Sequence, residues 1–132
     1  MKIVLDTNVL LSGIFWRGAP YKVLRLWQED KISLAISLEI ADEYSRSGEK
    51  LATKYKSVVA APIIVAVIAG SEVILAPPLP VQVCEDPDDD KFIACALAAK
   101  ADAIITGDKK LLACNDYKGL EILTPNQFLK RL

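Results

Sequence analysis

The sequence predicts an α/β domain in which helices cover both faces of a mainly parallel sheet. Short apolar runs rich in β-branched residues alternate with segments whose apolar residues recur at helical spacing. The chain has 132 residues, 52% of them hydrophobic, which is enough for one core. No internal repeat, low-complexity segment or linker divides it, so we expect residues 1–132 to form a single domain.

The predicted strands are short apolar runs that end at polar residues or at turn-forming residues. They are expected at residues 2–5, 32–37, 72–76, 103–106 and 120–123. A further short strand is expected at residues 81–84, just before a run of acids. Because strands and helices alternate, neighbouring strands are expected to run parallel.

The predicted helices lie between these strands. They are expected at residues 9–15, 23–27, 37–44, 51–69, 86–99, 111–112 and 125–132. Ser37 is expected to cap its helix, and Asp86 precedes Pro87 as an N-cap precedes a proline at the first helical position. Pro62 is expected to kink the 51–69 segment or to start a helix within it.

Composition and charge exclude several classes of protein. The net charge of −1 and the pI of about 5.5 argue against a protein that mainly coats nucleic acid. The three cysteines, Cys84, Cys95 and Cys114, match neither a disulfide framework nor a zinc site, and are expected to be buried free thiols. The apolar run 58–69 is too short to cross a bilayer, and the N-terminus does not read as a signal peptide, so a cytoplasmic protein without membrane attachment is expected.

The chain contains no histidine, which removes most acid–base and nucleophile–base schemes at neutral pH. Acidic residues stand instead at the ends of predicted strands and on the helices that follow them. They are Asp6, Glu43, Asp86, Asp88, Asp89, Asp90 and Asp108. The carboxyl ends of parallel strands meet at one edge of the sheet, where clustered carboxylates need a cation to offset their repulsion. Mg²⁺ or Mn²⁺ would suit such oxygen ligands and could activate water for attack on a phosphodiester.

Each acid also has a simpler structural explanation. Asp6 and Asp86 are suitable N-caps, and Asp88 would be favoured in the first helical turn by the helix dipole. Asp108 fits a turn, and Glu43 fits a solvated helix face. The prediction of a metal site therefore depends on their joint placement at one sheet edge.

Four segments, in this order, carry a resemblance to a known family: IVLDTNVLLSG, SLEIADEY, DPDDDKFIACALA and ADAIITGDKKLL. Together they resemble the PIN domain, most closely the branch of toxin components of toxin–antitoxin systems that is related to VapC-type toxins. The resemblance implies a flavodoxin-like three-layer α/β/α sandwich. It also implies cleavage of single-stranded RNA with Mg²⁺ or Mn²⁺, a metal-activated water as the attacking group, and 5′-phosphate and 3′-hydroxyl products. A cognate antitoxin and a homodimer are the expected protein partners.

The resemblance also implies roles for particular residues. The first, second and fourth acids of the family fall on Asp6, Glu43 and Asp108. The third falls on Asp89 or Asp90, and Asp89 is favoured because relatives tend to place the acid just before a variable polar residue. Asp6, Asp89 and Asp108 are the implied metal ligands, with Asp90 as the alternative, while Glu43 completes the set or orients water. The polar positions that support the acids by hydrogen bonds fall on Asn8, Ser12 and Thr106.

Basic and aromatic residues are candidates for contacts with partners. The residues expected to steer an RNA backbone are Arg17, Lys22, Arg46, Lys50, Lys54 and Lys109. Each of them is otherwise a solvated surface charge. Phe15, Trp16 and Trp27 are candidates for a homodimer or antitoxin surface, with burial in the core as the alternative.

Two other classes of function compete with the nuclease. A catalytically silent binding module would keep the fold, although it would leave the carboxylate repulsion unrelieved. Another magnesium-dependent phosphate enzyme, such as an aspartyl phosphatase, needs a second acid near Asp6, where Asn8 stands instead. A P-loop enzyme is excluded because the chain has no GxxxxGK motif.

Overall fold

Five strands form one sheet in the computed structural model, which describes residues 1–132. They are β1 (Lys2–Leu5), β2 (Ser33–Ile36), β3 (Glu72–Val73), β4 (Ala103–Ile105) and β5 (Glu121–Leu123). The strand order is β3-β2-β1-β4-β5, and every neighbouring pair is parallel. In the central strand, Ile3 is paired with Leu34 on one side and with Ala103 on the other.

Seven α-helices connect and flank these strands. They are α1 (Thr7–Phe15), α2 (Ala19–Gln28), α3 (Leu38–Tyr55), α4 (Ala60–Ala69), α5 (Asp90–Ala99), α6 (Lys109–Leu112) and α7 (Pro125–Lys130). Both faces of the sheet are covered, because the consecutive residues Ile3, Val4 and Leu5 are all at most 2% exposed although their side chains alternate between faces. The predicted three-layer α/β/α architecture is confirmed. No helix combines the length and the apolar character needed to cross a membrane.

The order of the strands reverses beside the central strand. The chain moves outward from β1 to β2 and β3, and then returns to place β4 on the other side of β1. Ligands of open parallel sheets bind beyond the carboxyl ends of the strands at such a reversal. Asp6 directly follows β1, and Asp108 lies three residues after β4.

Capping residues start several of the helices as the sequence predicts. The Ser37 hydroxyl accepts a hydrogen bond from the Ile40 N–H at 3.3 Å. The Asp86 carboxylate accepts one from the Asp88 N–H at 3.0 Å, and a short 3₁₀ turn at Pro87–Asp89 leads into α5. Such side-chain acceptors satisfy N–H groups that have no partner within the helix.

The strand predicted at residues 81–84 is absent. The backbone N–H groups of Val83 and Cys84 donate instead to the two carboxylate oxygens of Asp90, at 3.0 and 2.8 Å. These two donors are therefore satisfied by a side chain and not by a neighbouring strand. The strand predicted at residues 72–76 is also shorter, since β3 contains only Glu72–Val73.

The segment 51–69, predicted to be helical with a kink or a helix start at Pro62, is divided between two helices. Helix α3 continues to Tyr55 and ends where Lys56 adopts a left-handed conformation with φ of 51°. Helix α4 then begins at Ala60, so Pro62 lies in its first turn, where no intrahelical partner is needed for the missing N–H.

The three cysteines are free, as predicted, but they are not equally buried. Cys84 and Cys95 are buried, whereas Cys114 is half-buried. The sulfur atoms of Cys84 and Cys114 lie 3.3 Å apart. Burial raises the pKa of the Cys95 thiol to about 11, which keeps this group protonated and unreactive at neutral pH.

Candidate active site

A small polar cavity opens at the carboxyl ends of β1 and β4. Its volume is about 240 Å³, and none of the eight residues that line it is hydrophobic. The lining residues are Asp6, Glu43, Asp86, Asp89, Asp108, Thr7, Asn8 and Ser47. Acids that are far apart in sequence therefore lie together in space, at the sheet edge where the strand order predicts a ligand site.

Thr106 connects two of these acids. Its hydroxyl donates to Oδ2 of Asp6 at 2.6 Å and accepts a hydrogen bond from the Asp108 N–H at 3.0 Å. Asp6 is only 7% exposed and Thr106 is fully buried. Burial raises the pKa of the Asp6 carboxyl, while the hydrogen bond from Thr106 opposes that rise. The hydroxyl of Thr106 thus fixes the direction of Asp6 and the start of the loop that carries Asp108.

Replacing Thr106 by valine is expected to destabilise the protein by about 1–3 kcal/mol. The substitution keeps the shape of the side chain but leaves a buried carboxylate oxygen and an N–H group without their partner. Thr106→Ser keeps the hydroxyl and should therefore lose much less stability. Chemical denaturation of the three proteins measures the difference, and equal stability of Thr106→Val and wild type would show that the two hydrogen bonds contribute nothing.

Glu43 is held at the cavity by the helix that carries it. The hydroxyl of the neighbouring Tyr44 is buried and donates to the carbonyl oxygen of Leu5 at 2.6 Å, which ties α3 to the end of β1. The Glu43 carboxylate accepts a hydrogen bond from the Thr7 hydroxyl. Glu43 thus lines the cavity, with its orientation set by contacts with α1 and by its place on α3.

Lys91 compensates the charge of Glu43. Its ammonium group lies 2.8 Å from Oε1 of Glu43 and 2.8 Å from Oδ2 of Asp88, and the Lys91 side chain is only 9% exposed. The Asp88 side chain is 70% exposed, so Glu43 is the better shielded of its two partners. A cation of the protein itself therefore occupies one side of the Glu43 carboxylate.

Lys91→Met is expected to lower the free energy of unfolding by about 1–3 kcal/mol, because it leaves Glu43 without its partly buried partner. A matched control is Arg46→Met, which breaks an ion pair with Asp42 in which both side chains are 65% exposed. Pairs of that kind contribute little. Denaturant titration of both variants gives the comparison, and losses of equal size would contradict a special role for Lys91.

Asp89 and Asp90, the two alternatives for the third acid, of which the sequence favoured Asp89, point in different directions. Asp89 lines the cavity, and its Oδ2 atom is buried without a hydrogen-bond partner. Burial and the carboxylates of Asp108 and Asp6 raise the pKa of Asp89 to about 7. The oxygens of Asp90 accept hydrogen bonds from Val83 and Cys84 and do not line the cavity. The structure therefore gives no support to Asp90 as a metal ligand.

The lining residues fit a divalent cation in charge and in donor type. Carboxylate oxygens suit Mg²⁺ or Mn²⁺, and a cation would relieve the repulsion that raises the pKa of Asp89. The unpartnered oxygen of Asp89 is a free donor atom. No three of the acidic side chains converge on one point in the geometry that coordination needs. Binding would therefore require some of these side chains to change rotamer.

The other predicted residues are distributed around this cavity. Asn8 lines it, and Ser12 lies one turn further along α1 and lines an adjoining groove. Of the three residues expected to support the acids by hydrogen bonds, only Thr106 does so. The predicted basic residues are all exposed: Arg17, Lys22, Arg46, Lys50, Lys54 and Lys109. Two of them already have partners within the chain. Arg46 forms an ion pair with Asp42, and Arg17 donates a hydrogen bond to the hydroxyl oxygen of Tyr21.

Sequence reasoning missed several residues of the site. Thr7 and Ser47 line the cavity, and Lys91 forms an ion pair with Glu43. Asp86, expected among the clustered acids and as an N-cap, does both, since it lines the cavity and caps a turn. Lys91 is the first base after the acidic run, and Ser47 lies four residues after Glu43 on the same helix face. Those spacings were visible in the sequence, although only the fold shows which partner each residue meets.

Comparisons with known proteins extend these observations. The family profile of the PIN domain matches residues 2–110. An uncharacterized protein from Methanocaldococcus jannaschii is 33% identical over 141 residues, covering 98% of this chain and 90% of that protein. The crystal structure of PAE2754 from Pyrobaculum aerophilum aligns with a TM-score of 0.64 and 17% identity, covering 99% of this chain and 88% of the other. A chain of VapBC2 from Rickettsia felis, bound to a DNA fragment from their promoter, aligns with a TM-score of 0.61 and 18% identity, covering 92% and 97%. At these identities the two structures show a shared fold.

Proposed function

We propose, because this chain belongs to the PIN domain family, that its carboxylate cavity is the active site of a nuclease that depends on a divalent metal. PIN domains are generally nucleases, and they typically use divalent metals. The observation that carries the proposal is the meeting of five carboxylates in one cavity, with the buried Oδ2 atom of Asp89 left unpartnered. A carboxylate cluster of this kind has a clear use in phosphodiester hydrolysis and would otherwise cost stability.

Single-stranded RNA is the proposed substrate, and Mg²⁺ or Mn²⁺ the proposed ion. The choice of RNA rests on the resemblance to the toxin branch of the family. Asp6, Asp89 and Asp108 would hold the ion, because all three line the cavity. Asp6 directly follows β1, Asp108 follows β4 beside Thr106, and Asp89 lies in the 3₁₀ turn before α5. When bound, the ion would supply an activated water and offset the charge of the phosphodiester.

The residues around the ion divide the remaining tasks. Glu43, fixed by Thr7 and Lys91, accepts a hydrogen bond from the attacking water and orients it toward the phosphorus. Thr106 keeps the Asp6 carboxylate pointed into the cavity. Asn8, which is exposed at the rim, donates to a phosphate oxygen of the strand. In-line attack would form a bond from the water oxygen to phosphorus and break the bond from phosphorus to the 3′ oxygen. The water proton passes to solvent and the 3′ oxygen takes one up, which leaves a 5′-phosphate on one product and a 3′-hydroxyl on the other.

The proposed biological role is that of the toxin of a toxin–antitoxin pair, with a separate antitoxin chain and a homodimeric toxin. The VapBC2 structure from Rickettsia felis is a toxin–antitoxin complex bound to a DNA fragment from their promoter, and one of its chains shares the fold of this chain. Expression of this chain with the gene beside its own, followed by affinity purification, tests the pairing. Recovery of the chain alone at its monomer mass of 14.4 kDa would contradict both protein partners.

The first test of the nuclease uses a pool of single-stranded RNAs of mixed sequence and a DNA pool of the same sequences. Each pool is incubated with protein and Mn²⁺, Mg²⁺ or EDTA, and the ends of the products are analysed. We expect cleavage of RNA with either metal, none with EDTA, and 5′-phosphate ends. Asp6→Asn, purified in the same way, controls for contaminating nucleases.

Three outcomes would contradict the proposal. Cleavage that persists in EDTA excludes the metal-dependent mechanism. Equal cleavage by wild type and Asp6→Asn identifies a contaminant or a different site. Absence of cleavage, together with no rise in melting temperature on addition of millimolar Mn²⁺ or Mg²⁺, would favour the catalytically silent binding module.

A further inference from the structure

A second groove adjoins the carboxylate cavity. It has a volume of about 420 Å³ and shares Asn8 and Ser47 with the cavity. Its walls come from α1 and α3, and they include the side chains of Trp16, Lys50 and Lys54. The groove is therefore continuous with the proposed active site but differs from it in character, because its charged side chains are basic.

One face of α3 connects the two regions. Glu43, Ser47, Lys50 and Lys54 are spaced by four, three and four residues, so they lie in one row along the helix. At a rise of about 1.5 Å per residue the row is roughly 16 Å long. It begins at the carboxylate cavity with Glu43, which is held by Lys91, and ends among basic side chains. An extended strand can follow such a row from one end to the other.

Aromatic rings stand at the far end of the row. The ring centres of Phe15, Trp16 and Tyr55 lie 5.7 to 5.9 Å from one another. Trp16 is 51% exposed and Tyr55 is 49% exposed, so each offers ring surface to a ligand. Mutual contact holds these rings in place, and Trp16 and Tyr55 meet edge to face. Trp27, by contrast, packs against the core, and a Cβ atom on Gly70 would lie 2.7 Å from its ring.

The two lysines of the row have no acidic partner. Neither Lys50 nor Lys54 forms an ion pair, and the Lys54 ammonium lies 5.4 Å from the centre of the Tyr55 ring. Arg46, on the same helix, shows the usual alternative, since it is bound to Asp42. Two free cations in a chain with a net charge of −1 make this groove a local site for anions.

We propose that this groove is the subsite for the part of a single-stranded RNA that flanks the scissile phosphate, with one base stacked on Trp16, whose ring Tyr55 holds in place, and the backbone phosphates on Lys50 and Lys54. The inference rests on the proposed nuclease function. Exposed rings beside unpaired cations are the combination that binds single strands without reading their sequence. Continuity with the carboxylate cavity and charge complementarity favour RNA over a protein partner as the occupant.

Binding can be measured without cleavage in the Asp6→Asn background with Mg²⁺ present. The probe is a pool of labelled ten-nucleotide single-stranded RNAs of random sequence, followed by fluorescence anisotropy. We expect Trp16→Ala to weaken binding roughly 5- to 150-fold, the range for loss of one stacked base. Trp16→Phe keeps a ring and should restore much of the affinity. Trp27→Phe, which alters the other tryptophan, should have no effect.

Two further comparisons separate stacking from charge. An abasic oligomer of the same length should bind the parent protein and Trp16→Ala equally, since it has no base to stack. Lys54→Gln should reduce the slope of log Kd against log salt by about 0.7, because it removes one phosphate contact with a single strand. Lys130→Gln, an exposed lysine on α7, is the matched control and should leave the slope unchanged.

The outcomes distinguish the subsite from the nuclease. If the RNA pool binds Trp16→Ala as tightly as the parent protein, or does not bind the parent at all, the subsite is overturned, even if wild type cleaves RNA. If binding depends on Trp16 and Lys54 but wild type fails to cleave RNA with metal, the subsite stands and the proposed function fails. Unchanged RNA binding combined with loss of a protein partner in Trp16→Ala would assign the groove to that partner.

Discussion

Asp6→Asn is expected to reduce the rate of RNA cleavage by at least about a hundredfold while leaving the fold intact. The asparagine side chain has nearly the same shape and still offers an oxygen to the Thr106 hydroxyl. What it loses is a negative charge at the centre of the cavity. Removing a residue that merely supports a metal ligand commonly costs 10- to 100-fold, and removing a ligand should cost at least as much.

The stability of Asp6→Asn separates a chemical effect from unfolding. Burial raises the pKa of Asp6, so the charged carboxylate is unfavourable in the metal-free protein and a neutral amide is tolerated. The melting temperature without metal should therefore equal or exceed that of wild type. Asp30→Asn, at an exposed residue outside the cavity, is the matched control for both measurements. More than about a tenth of the wild-type rate in a well-folded Asp6→Asn would place the active site elsewhere.

Asp89→Asn is expected to stabilise the metal-free protein at neutral pH and to abolish the stabilisation that Mg²⁺ or Mn²⁺ gives to wild type. Asp89 faces the carboxylates of Asp6 and Asp108, and one of its oxygens is buried without a partner. Its shift in pKa corresponds to at most about 4 kcal/mol. Because the side chain is only half-buried, solvent screening reduces the expected gain to about 1 kcal/mol.

The raised pKa of Asp89 also predicts how the stability of the metal-free protein depends on pH. The pKa of Asp89 is about 7 in the folded chain and near 3.8 when unperturbed. Between these values the folded state binds more protons than the unfolded state, so stability should fall as the pH rises from about 4 to about 7. Asp89→Asn should show a smaller decline, and a saturating divalent metal should remove it in wild type.

Thermal unfolding across this pH range, with and without metal, checks both statements. Asp30→Asn is again the control, because it removes an exposed carboxylate that does not line the cavity. If Asp89→Asn and wild type respond equally to Mg²⁺ and Mn²⁺, Asp89 is not a ligand. If the metal-free stability of wild type rises between pH 4 and 7 more steeply than that of Asp89→Asn, the crowding of carboxylates is not the dominant effect at this residue.

The architecture was predictable because it depends on patterns that local physics determines. Uniformly apolar runs such as residues 2–5 must be covered on both faces, and capping residues such as Ser37 start their helices wherever the chain goes. One failure shows what such local patterns leave out. The strand expected at 81–84 was displaced by the carboxylate of Asp90, a partner six or seven residues away that a β-strand pattern does not reveal.

The candidate site was predictable to a similar degree. The sequence predicted that Asp6 and Asp108 each follow the end of a strand, and the parallel pairing of β1 with β4 places these two strand ends side by side. The choice between Asp89 and Asp90 depended on the direction of each side chain at the start of α5, where a 3₁₀ turn replaces the first turn of the expected helix. The ion pair between Lys91 and Glu43 joins α5 to α3, and no local sequence pattern encodes the relative position of these two helices.

The hydrogen bond from Thr106 to Asp6 spans 100 residues of sequence, and it closes only when the first strand of the chain meets the fourth. During synthesis, β1 emerges before the other strands of the sheet, yet one of its edges has no paired strand until β4 has left the ribosome. A nascent chain that ends before residue 103 lacks both Thr106 and Asp108. Its cavity therefore lacks the side that follows β4. If the chain cuts RNA, a nascent chain that stops short of Thr106 and Asp108 cannot do so, because the strand pairing that completes the central sheet also brings these two residues to the site.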